Sequence, residues 1–367
     1  MTNALFTTKT LKKIKRIFPI HPTDKIFLPI ISNVQNLEKF LSFFPNRIHV
    51  SVPSFRIHSN VLDNQIILSK ISEGNIQINV DFFGLTSKSS DESITKIMVF
   101  FPNSLSLSLV DYALHQLSIL LNRPTDLLLI VNNRKQYDVI LKWAEKNKID
   151  YFLAKYQNRF FLIVHQLNPS NIKNSDFKDH IFKINYVKEY GEFEFFSSDG
   201  VFSKEKIDAG TDFLIDTILH RNDLKLHQAE VIDYFSGMGV IGIILAKIFG
   251  LEKIHFVECD LISLFLLKRN IDIHQITNSV VHEMDGLKKS TITPNSVDLI
   301  VANPPTHIKK EEFKTFLQLT NLLLKKEGKL MIVINKIIPY EYTLRKYFPD
   351  PSNINVFQKD NYKVLIS

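Results

Sequence analysis

A glycine-rich turn between two apolar segments constrains this chain more than any other feature of its sequence. Residues 231–242 read VIDYFSGMGVIG, and the apolar character continues to Phe249. Gly237 and Gly239 lie in the turn, and Gly242 lies inside the second segment. Glycine permits left-handed backbone angles and a close approach of the backbone to a ligand. The pattern predicts a strand, a ligand-binding turn and a helix; a glycine turn in a ligand-free α/β sheet is the alternative.

Two acids beside this turn limit the choice of ligand. A further apolar segment, 254–257, ends at Glu258, where a carboxylate can accept hydrogen bonds from both hydroxyls of a ribose. Asp233 closes the first segment. A carboxylate there would repel the pyrophosphate that a nicotinamide cofactor places at the helix N-terminus. It suits a cationic or amino-bearing ligand instead.

A rigid polar motif follows another apolar segment. Residues 297–302 run directly into Asn303-Pro304-Pro305, and two prolines cannot continue a strand ladder. The Asn303 side-chain oxygen and the Pro304 carbonyl can both accept hydrogen bonds from a planar amino group, which directs its nitrogen lone pair toward an electrophile. The motif alone could be a simple turn. Together with the glycines, Asp233 and Glu258, it indicates methylation of an amino group by S-adenosylmethionine.

These motifs resemble those of the class I methyltransferases, and more narrowly of the bacterial small-subunit ribosomal RNA guanine-N2 methyltransferases of type C and their large-subunit relatives. The resemblance extends from about residue 93 to the end of the sequence. Besides the glycine turn and Asn303-Pro304-Pro305, it rests on Gly200-Val-Phe-Ser203 with Asp208 and Gly210, on Gly328-Lys-Leu and on Ile338-Pro-Tyr340. It implies an α/β chain of two tandem Rossmann-like domains, of which the N-terminal one is degenerate and has lost its cofactor site.

The resemblance also implies roles for individual residues. Phe202, Asp208 and Gly210 would contact the methionine end of S-adenosylmethionine, and Asp285 would accept a hydrogen bond from the adenine amino group. The Asn133-Arg134 pair matches a turn whose basic surface meets RNA. The full expected cofactor set is Asp233, Ser236, Gly237, Gly239, Gly242, Glu258, Asp285, Phe202, Asp208, Gly210 and Asn303, and the catalytic set is Asn303, Pro304 and Pro305.

Three positions depart from the family pattern. Phe235 occupies a position that is usually glycine, and Glu258 replaces a shorter aspartate. Thr306 stands in the substrate-binding position where an aromatic ring normally stacks on the target base, a contact worth roughly 1–3 kcal/mol per base. Either another aromatic side chain such as Phe313 or Tyr340 replaces that ring, or the activity or its target has changed.

The chain is predicted to contain an N-terminal RNA-binding domain (1–166), a linker (167–190) and a C-terminal catalytic domain (191–367). Residues 1–92 suggest a small β-rich region with one helix near 36–44 and a loop at 86–92. From residue 95 onward, strands and helices alternate, which predicts a parallel sheet. Only two of the 11 glycines, Gly74 and Gly84, precede Gly191, and neither lies in a strand-to-helix turn.

Positive charge is concentrated in the first half. Residues 1–188 carry 24 Lys+Arg and 14 Asp+Glu (+10), and residues 189–367 carry 21 and 24 (−3), which sum to the net +7. Five cations near the N-terminus have no acid among them: Lys9, Lys12, Lys13, Lys15 and Arg16. Such a segment can contact phosphates, so Lys12, Lys13, Lys15 and Arg16 are predicted to bind substrate; a solvated chain terminus is the alternative.

The sequence therefore predicts transfer of methyl from S-adenosylmethionine to the N2 amine of a guanine in ribosomal RNA, most simply 16S RNA. Glutamine or DNA-adenine methylation and a non-catalytic RNA-binding protein are the alternatives. The single cysteine, Cys259, excludes an internal disulfide, and the histidines show no metal-ligand spacing. No metal is expected. Without an apolar membrane span or signal core, a cytoplasmic, monomeric protein that binds ribosomal RNA or a ribosomal subunit is expected.

Overall fold

The computed structural model describes residues 7–31, 33–83, 85, 94–121, 123–173, 176–287, 291–306, 308–338, 340–347 and 354–367. The loop predicted at 86–92 and Pro339 lie outside these ranges. The chain divides into two compact units, Met1–Ile181 and Phe182–Ser367. Each unit contains a seven-stranded sheet.

The first unit alternates short strands and helices. Its elements are α1 (Thr8–Ile17), β1 (Lys25–Leu28), α2 (Val34–Phe43), β2 (Arg47–Val52), α3 (Phe55–Leu62), α4 (Gln65–Ser72), β3 (Ile76–Val80), β4 (Lys96–Phe100), α5 (Leu107–Leu120), β5 (Thr125–Val131), α6 (Arg134–Lys146), β6 (Phe152–Tyr156), β7 (Arg159–Leu167) and two 3-10 turns (Pro169–Asn171 and Phe177–His180). Side chains of Thr7, Asn33, Ser54 and Asn64 accept first-turn N–H groups and so begin α1 to α4.

The prediction of a β-rich region with one helix for residues 1–92 is wrong. The region contains three strands, β1, β2 and β3, and the helix near 36–44 is present as α2, but α1, α3 and α4 are further helices of the same stretch. These helices have 8 to 10 residues. Apolar runs of that length do not distinguish helix from strand by periodicity, and each start depends on a single capping side chain.

The second unit begins with an antiparallel pair and continues as an α/β sheet. Its elements are β8 (Ile181–Lys188), β9 (Gly191–Ser198), α7 (Ala209–Leu219), β10 (Glu230–Tyr234), α8 (Val240–Phe249), β11 (Lys253–Glu258), α9 (Leu261–Ile273), β12 (Ser279–Glu283), β13 (Val297–Ala302), α10 (Lys310–Leu323), β14 (Leu324–Asn335), α11 (Tyr340–Tyr347), β15 (Asn355–Lys359) and β16 (Tyr362–Ile366). The segment predicted as a linker thus contains β8, which pairs with β9.

The two sheets have the same strand order. They run β3-β2-β1-β4-β5-β7-β6 and β12-β11-β10-β13-β14-β16-β15. In each sheet, the first five strands of this order pair in parallel. The sixth strand, β7 or β16, pairs antiparallel with both of its neighbours. This repeated topology confirms the expectation of two tandem Rossmann-like domains.

The order of the second sheet fixes where a ligand can lie. The chain leaves β10 toward β11 on one side and returns to β13 on the other, and a crevice forms at the carboxyl ends of strands where the order reverses. The central strands behind this edge are packed into the core, where Ile232, Ile300 and Leu330 are fully buried. Within the described ranges, no helix combines the length and the apolar character required to span a bilayer.

Candidate active site at the edge of the second sheet

Three adjacent strands bring the predicted polar residues to one edge. Asp233 on β10 is in register with Phe256 on β11 and with Val301 on β13. Glu258 ends β11, and Asn303 directly follows β13. Residues far apart in the chain therefore meet around the crevice between β10 and β13.

The turn after β10 has the left-handed backbone that its glycines predict. The φ angles are +63° at Phe235, +55° at Gly237 and +90° at Gly239. A Cβ on Gly239 would lie 2.5 Å from Leu267 Cδ1, whereas a Cβ on Gly237 would have no atom within 4 Å. Gly239 thus packs closely against Leu267 and Ile243 with a φ that other residues rarely adopt, and Gly237 faces open space. Phe235 has a left-handed φ of the kind that glycine adopts without strain, and its ring packs on Tyr234 at 4.7 Å between centroids.

Gly242 and Asp233 pack directly against each other. The Gly242 N–H donates to Asp233 Oδ2 at 2.9 Å, and a Cβ on Gly242 would lie 2.4 Å from the Phe256 ring and 3.0 Å from that oxygen. Asp233 is 1% exposed, and its Oδ1 has no hydrogen-bond partner among the described residues. Burial, with a contribution from the charge of Glu258, raises the pKa of Asp233 to about 7.

Glu258 is held by backbone amides. Its Oε2 accepts the Gly237 N–H at 2.8 Å, and its Oε1 accepts those of Cys259 and Asp260 at 2.7 and 2.9 Å. Burial raises the pKa of Glu258, and these amides oppose the rise. Since a carboxylate offers about four acceptor positions, three amides leave room for one ribose hydroxyl, where the sequence suggested that Glu258 could accept from both.

Ser236 belongs to the framework of the turn. Its buried hydroxyl donates to the Asp233 carbonyl at 2.7 Å and accepts the Val257 N–H at 2.8 Å. These bonds tie the turn to β11. Asp285 lies in the neighbouring turn after β12, where the Met284 N–H donates to the Glu258 carbonyl at 3.1 Å. Asp285 is thereby placed at the same edge as Glu258.

Asn303 is anchored through its amide nitrogen. Asn303 Nδ2 donates to Thr211 Oγ1 at 2.9 Å and to Asp208 Oδ2 at 3.3 Å. Asp208 is the N-cap of α7 and accepts the N–H groups of Gly210 and Thr211 at 2.9 and 3.1 Å. Pro304, next along the chain, is buried, whereas Pro305 is exposed.

Tyr362 on β16 completes this group. Its hydroxyl donates to Asp208 Oδ1 at 3.2 Å, and a Cβ on Gly210 would lie 2.7 Å from its ring. From the sequence alone, neither Thr211 nor Tyr362 is assigned a role. Thr211 could have been noticed as the residue whose amide the Asp208 cap accepts, but Tyr362 lies in a closing strand without a motif.

The aromatic side chains near Thr306 occupy different environments. Thr306 is exposed and Phe313 is 1% exposed. The Tyr340 ring stacks on Phe313 with centroids 4.1 Å apart and an interplanar angle of 20°. The Tyr340 hydroxyl donates to the Ile308 carbonyl at 3.3 Å. Phe202, in the loop before α7, is 71% exposed.

The remaining predicted residues lie in the first unit. Leu11 and Ile14 form the buried face of α1. The other faces carry the predicted substrate-binding cations, Lys12, Lys13, Lys15 and Arg16. None of these cations forms an ion pair with a described acid.

Asn133 and Arg134 begin α6. Asn133 caps the helix by accepting the Lys135 N–H at 2.8 Å. The Arg134 guanidinium is exposed, pairs with Asp138 at 3.0 Å and lies 5.1 Å from the centroid of the Tyr137 ring. The first unit therefore presents cations on α1 and on α6.

Comparison with known proteins identifies relatives of both the second unit and the whole chain. The model of the family described as "Methyltransferase small domain" matches residues 192–366. Ribosomal RNA small subunit methyltransferase C of Hahella chejuensis is 30% identical over 40% of this chain and 42% of its own length, so that alignment spans less than half of the relative. The protein of the same name from Shewanella sediminis is 24% identical over 82% of this chain and 83% of its own.

The fold is shared with a solved structure. The 16S rRNA N2 G1207 methyltransferase of T. thermophilus, in complex with AdoMet and guanosine, superposes with a TM-score of 0.74 at 15% identity, over 100% of this chain and 92% of that one. At this identity the likeness concerns the fold, and it covers both units.

Proposed function

We propose that this chain, which belongs to the class I methyltransferases of the ribosomal RNA small subunit methyltransferase C family, transfers a methyl group from S-adenosylmethionine to the exocyclic N2 amine of a guanine in ribosomal RNA. One observation carries the proposal: Asn303 stands beside the crevice of Asp233 and Glu258 with its amide nitrogen bonded to Asp208 and Thr211. Its Oδ1 is left to accept from an incoming amine.

The residues around the crevice fit S-adenosylmethionine. The unpartnered, buried Oδ1 of Asp233 suits the donor's ammonium group, because a buried charge needs a partner. Glu258 has one acceptor position for a ribose hydroxyl, and Gly237 leaves space for the ligand. When bound, S-adenosylmethionine supplies an electrophilic methyl group on its sulfonium. Asp285 and Phe202 complete the proposed cofactor site, and Gly239 and Gly242 allow the turn and α8 to pack closely behind it.

The chain's own part in the reaction is to hold the amine. Asn303 Oδ1 and the Pro304 carbonyl accept its two N–H groups, which leaves the lone pair directed out of the guanine plane. Positive charge develops on this nitrogen as its bond to the methyl carbon forms and the bond from that carbon to sulfur breaks, with the demethylated thioether as the leaving group. Fixed acceptors stabilise such charge without reorganisation, and the surplus N–H proton then passes to water. Pro304 and Pro305 keep both acceptors in place because their φ angles are fixed.

We assign the base-stacking role to Tyr340 rather than to Phe313. Phe313 is buried in the core and cannot touch a base. Tyr340 is partly exposed, and its hydroxyl bonds to Ile308, whose own N–H donates to the Pro305 carbonyl at 3.0 Å. One face of the ring is covered by Phe313. The ring is thus held beside Pro305 and Thr306, where the target base would lie.

The cations of the first unit support RNA as the substrate. Lys12, Lys13, Lys15 and Arg16 on α1, together with Asn133 and Arg134 on α6, suit contacts to phosphates, which add affinity without sequence preference. Small-subunit RNA, a cytoplasmic location and a monomeric state complete the proposal.

Methyl transfer from radiolabelled S-adenosylmethionine tests the function. Ribosomal RNA from cells lacking the modification is the substrate, and bulk protein and DNA are controls. N2-methylguanosine in a nuclease digest, identified by mass spectrometry, supports the proposal. Label in glutamine or in DNA adenine would replace it with those activities, and cofactor binding without transfer to any substrate would indicate an RNA-binding protein without catalysis.

A further inference from the structure

We infer that Thr211 and Asp208 are positioning residues that set the orientation of the Asn303 amide, and that Tyr362 holds Asp208 in turn. This inference rests on the proposed function, since it assigns what orients the group that binds the target amine. The three residues come from α7 and β16, and Asn303 follows β13.

The amide group of asparagine has two chemically different ends. In this site the nitrogen end faces two acceptors, Thr211 Oγ1 at 2.9 Å and Asp208 Oδ2 at 3.3 Å. The reversed amide would place its oxygen against the Asp208 carboxylate, and two acceptors repel each other. The hydrogen-bond network therefore selects one orientation, and in it Oδ1 is the free acceptor.

The Asp208 carboxylate is held in place by hydrogen bonds to both of its oxygens. One oxygen accepts the Gly210 and Thr211 N–H groups in the first turn of α7, and the other accepts the Tyr362 hydroxyl at 3.2 Å. The Tyr362 ring lies so close to Gly210 that a methyl group there would overlap it. Burial, followed by the charge of Asp208, raises the pKa of Tyr362, so its hydroxyl remains a donor at neutral pH.

The arrangement also has an electrostatic consequence. A carboxylate behind the N–H end of an amide polarises the amide, because hydrogen bonds in a chain strengthen one another. The Asn303 oxygen then becomes a stronger acceptor toward an amine on which positive charge develops. Asp208 thus acts on the reaction through Asn303, in addition to any contact with the cofactor.

Thr211→Val is the sharpest test because it removes the acceptor with almost no change in shape and leaves the Thr211 backbone amide in place. We expect the single-turnover rate constant at saturating cofactor and RNA to fall on the order of tenfold to a hundredfold, the usual effect of misplacing a reacting group. The cofactor Kd should stay the same. Thr211→Ser should restore most of the rate, and Tyr362→Phe should lower it by a smaller factor.

Thr217→Val is the matched control, because Thr217 lies on the same helix and its hydroxyl donates only to the Phe213 carbonyl at 2.7 Å. An unchanged rate in Thr211→Val, or a loss confined to cofactor affinity, overturns the inference.

A second measurement separates this inference from the proposed function. The Asn303 side-chain NH2 resonances, assigned by their loss in Asn303→Ala, should shift in Thr211→Val and not in Thr217→Val. If they do not shift, the inference fails even when wild-type protein methylates RNA. If they shift while wild-type protein methylates no RNA, the positioning network stands and the proposed substrate is what fails.

Discussion

Asp233 Oδ2 accepts the Gly242 N–H at 2.9 Å while Oδ1 of the same carboxylate is buried without a partner among the described residues. The first contact packs α8 onto β10. The unpartnered Oδ1 belongs to a buried carboxyl whose pKa is raised to about 7. Burying this group without a partner destabilises the free protein, and a bound cation would supply the partner.

Cofactor binding should therefore release a proton below neutral pH. A bound ammonium group favours the Asp233 carboxylate, so affinity should rise with pH through about 7 and level off above it. Titration calorimetry at about pH 6 in two buffers of different ionisation enthalpy should show proton release, which should disappear at about pH 8. Asp233→Asn should bind weakly without this buffer dependence. Equal heats in both buffers at the lower pH would contradict the role of Asp233.

Gly242 and Gly237 form a matched pair of substitutions. Gly242→Ala places a methyl group 2.4 Å from the Phe256 ring, and overpacking of this kind lowers the free energy of unfolding by about 1–3 kcal/mol. Gly237→Ala meets no atom but has a φ of +55°, a conformation that costs about 1–2 kcal/mol. In urea denaturation, Gly242→Ala should lose at least as much unfolding free energy as Gly237→Ala. In calorimetry, Gly237→Ala should bind the cofactor more weakly than wild type. Unaltered affinity in Gly237→Ala would show that its open space is not part of the cofactor site.

Two buried histidines should make the second unit sensitive to acid. His255 Nδ1 lies 3.0 Å from His282 Nε2, and His255 Nε2 lies 2.9 Å from Glu230 Oε1. Burial lowers the pKa of His255, and burial together with His255 lowers the pKa of His282 to about 4. Because the unfolded chain takes up these protons first, stability present above the ordinary histidine pKa should be lost as pH falls toward about 4.

His282→Gln tests this acid sensitivity. The slope of the unfolding free energy against pH should fall by about one proton over that interval. His220→Gln, a change at an exposed histidine, is the control. Parallel pH profiles for His282→Gln and wild type would argue against the assignment.

The cations of α1 should determine part of the salt dependence of RNA binding. Lys12→Gln and Lys15→Gln should each reduce the slope of log K against log salt by roughly 0.7–0.9, the value for one phosphate contact. The cofactor Kd should not change. Lys178→Gln, which alters another exposed lysine of the first unit, should leave the slope as it is. If all three variants gave the wild-type slope, RNA would not lie on α1.

The parts of the site that could be predicted from the sequence are those set by residues close together in the chain. The turn after β10 and the motif after β13 were predictable, because glycine and proline dictate backbone angles and side-chain placement within a few residues. The contacts of Thr211 with Asn303 and of Tyr362 with Asp208 were not, since they form only after α7, β13 and β16 assemble. For the same reason, the sequence could not decide between Phe313 and Tyr340, whose exposure depends on the packing of α10 and α11.

The turnover of Asn303→Ala tests the central claim most directly, which is that a rigid amide directs the target amine at a bound methyl donor. Methyl transfer should fall by on the order of 10²–10³, as for loss of one preorganised polar group, while calorimetry gives a nearly unchanged Kd for S-adenosylmethionine. Turnover close to wild type, or a cofactor affinity that falls as far as the rate, would contradict the account.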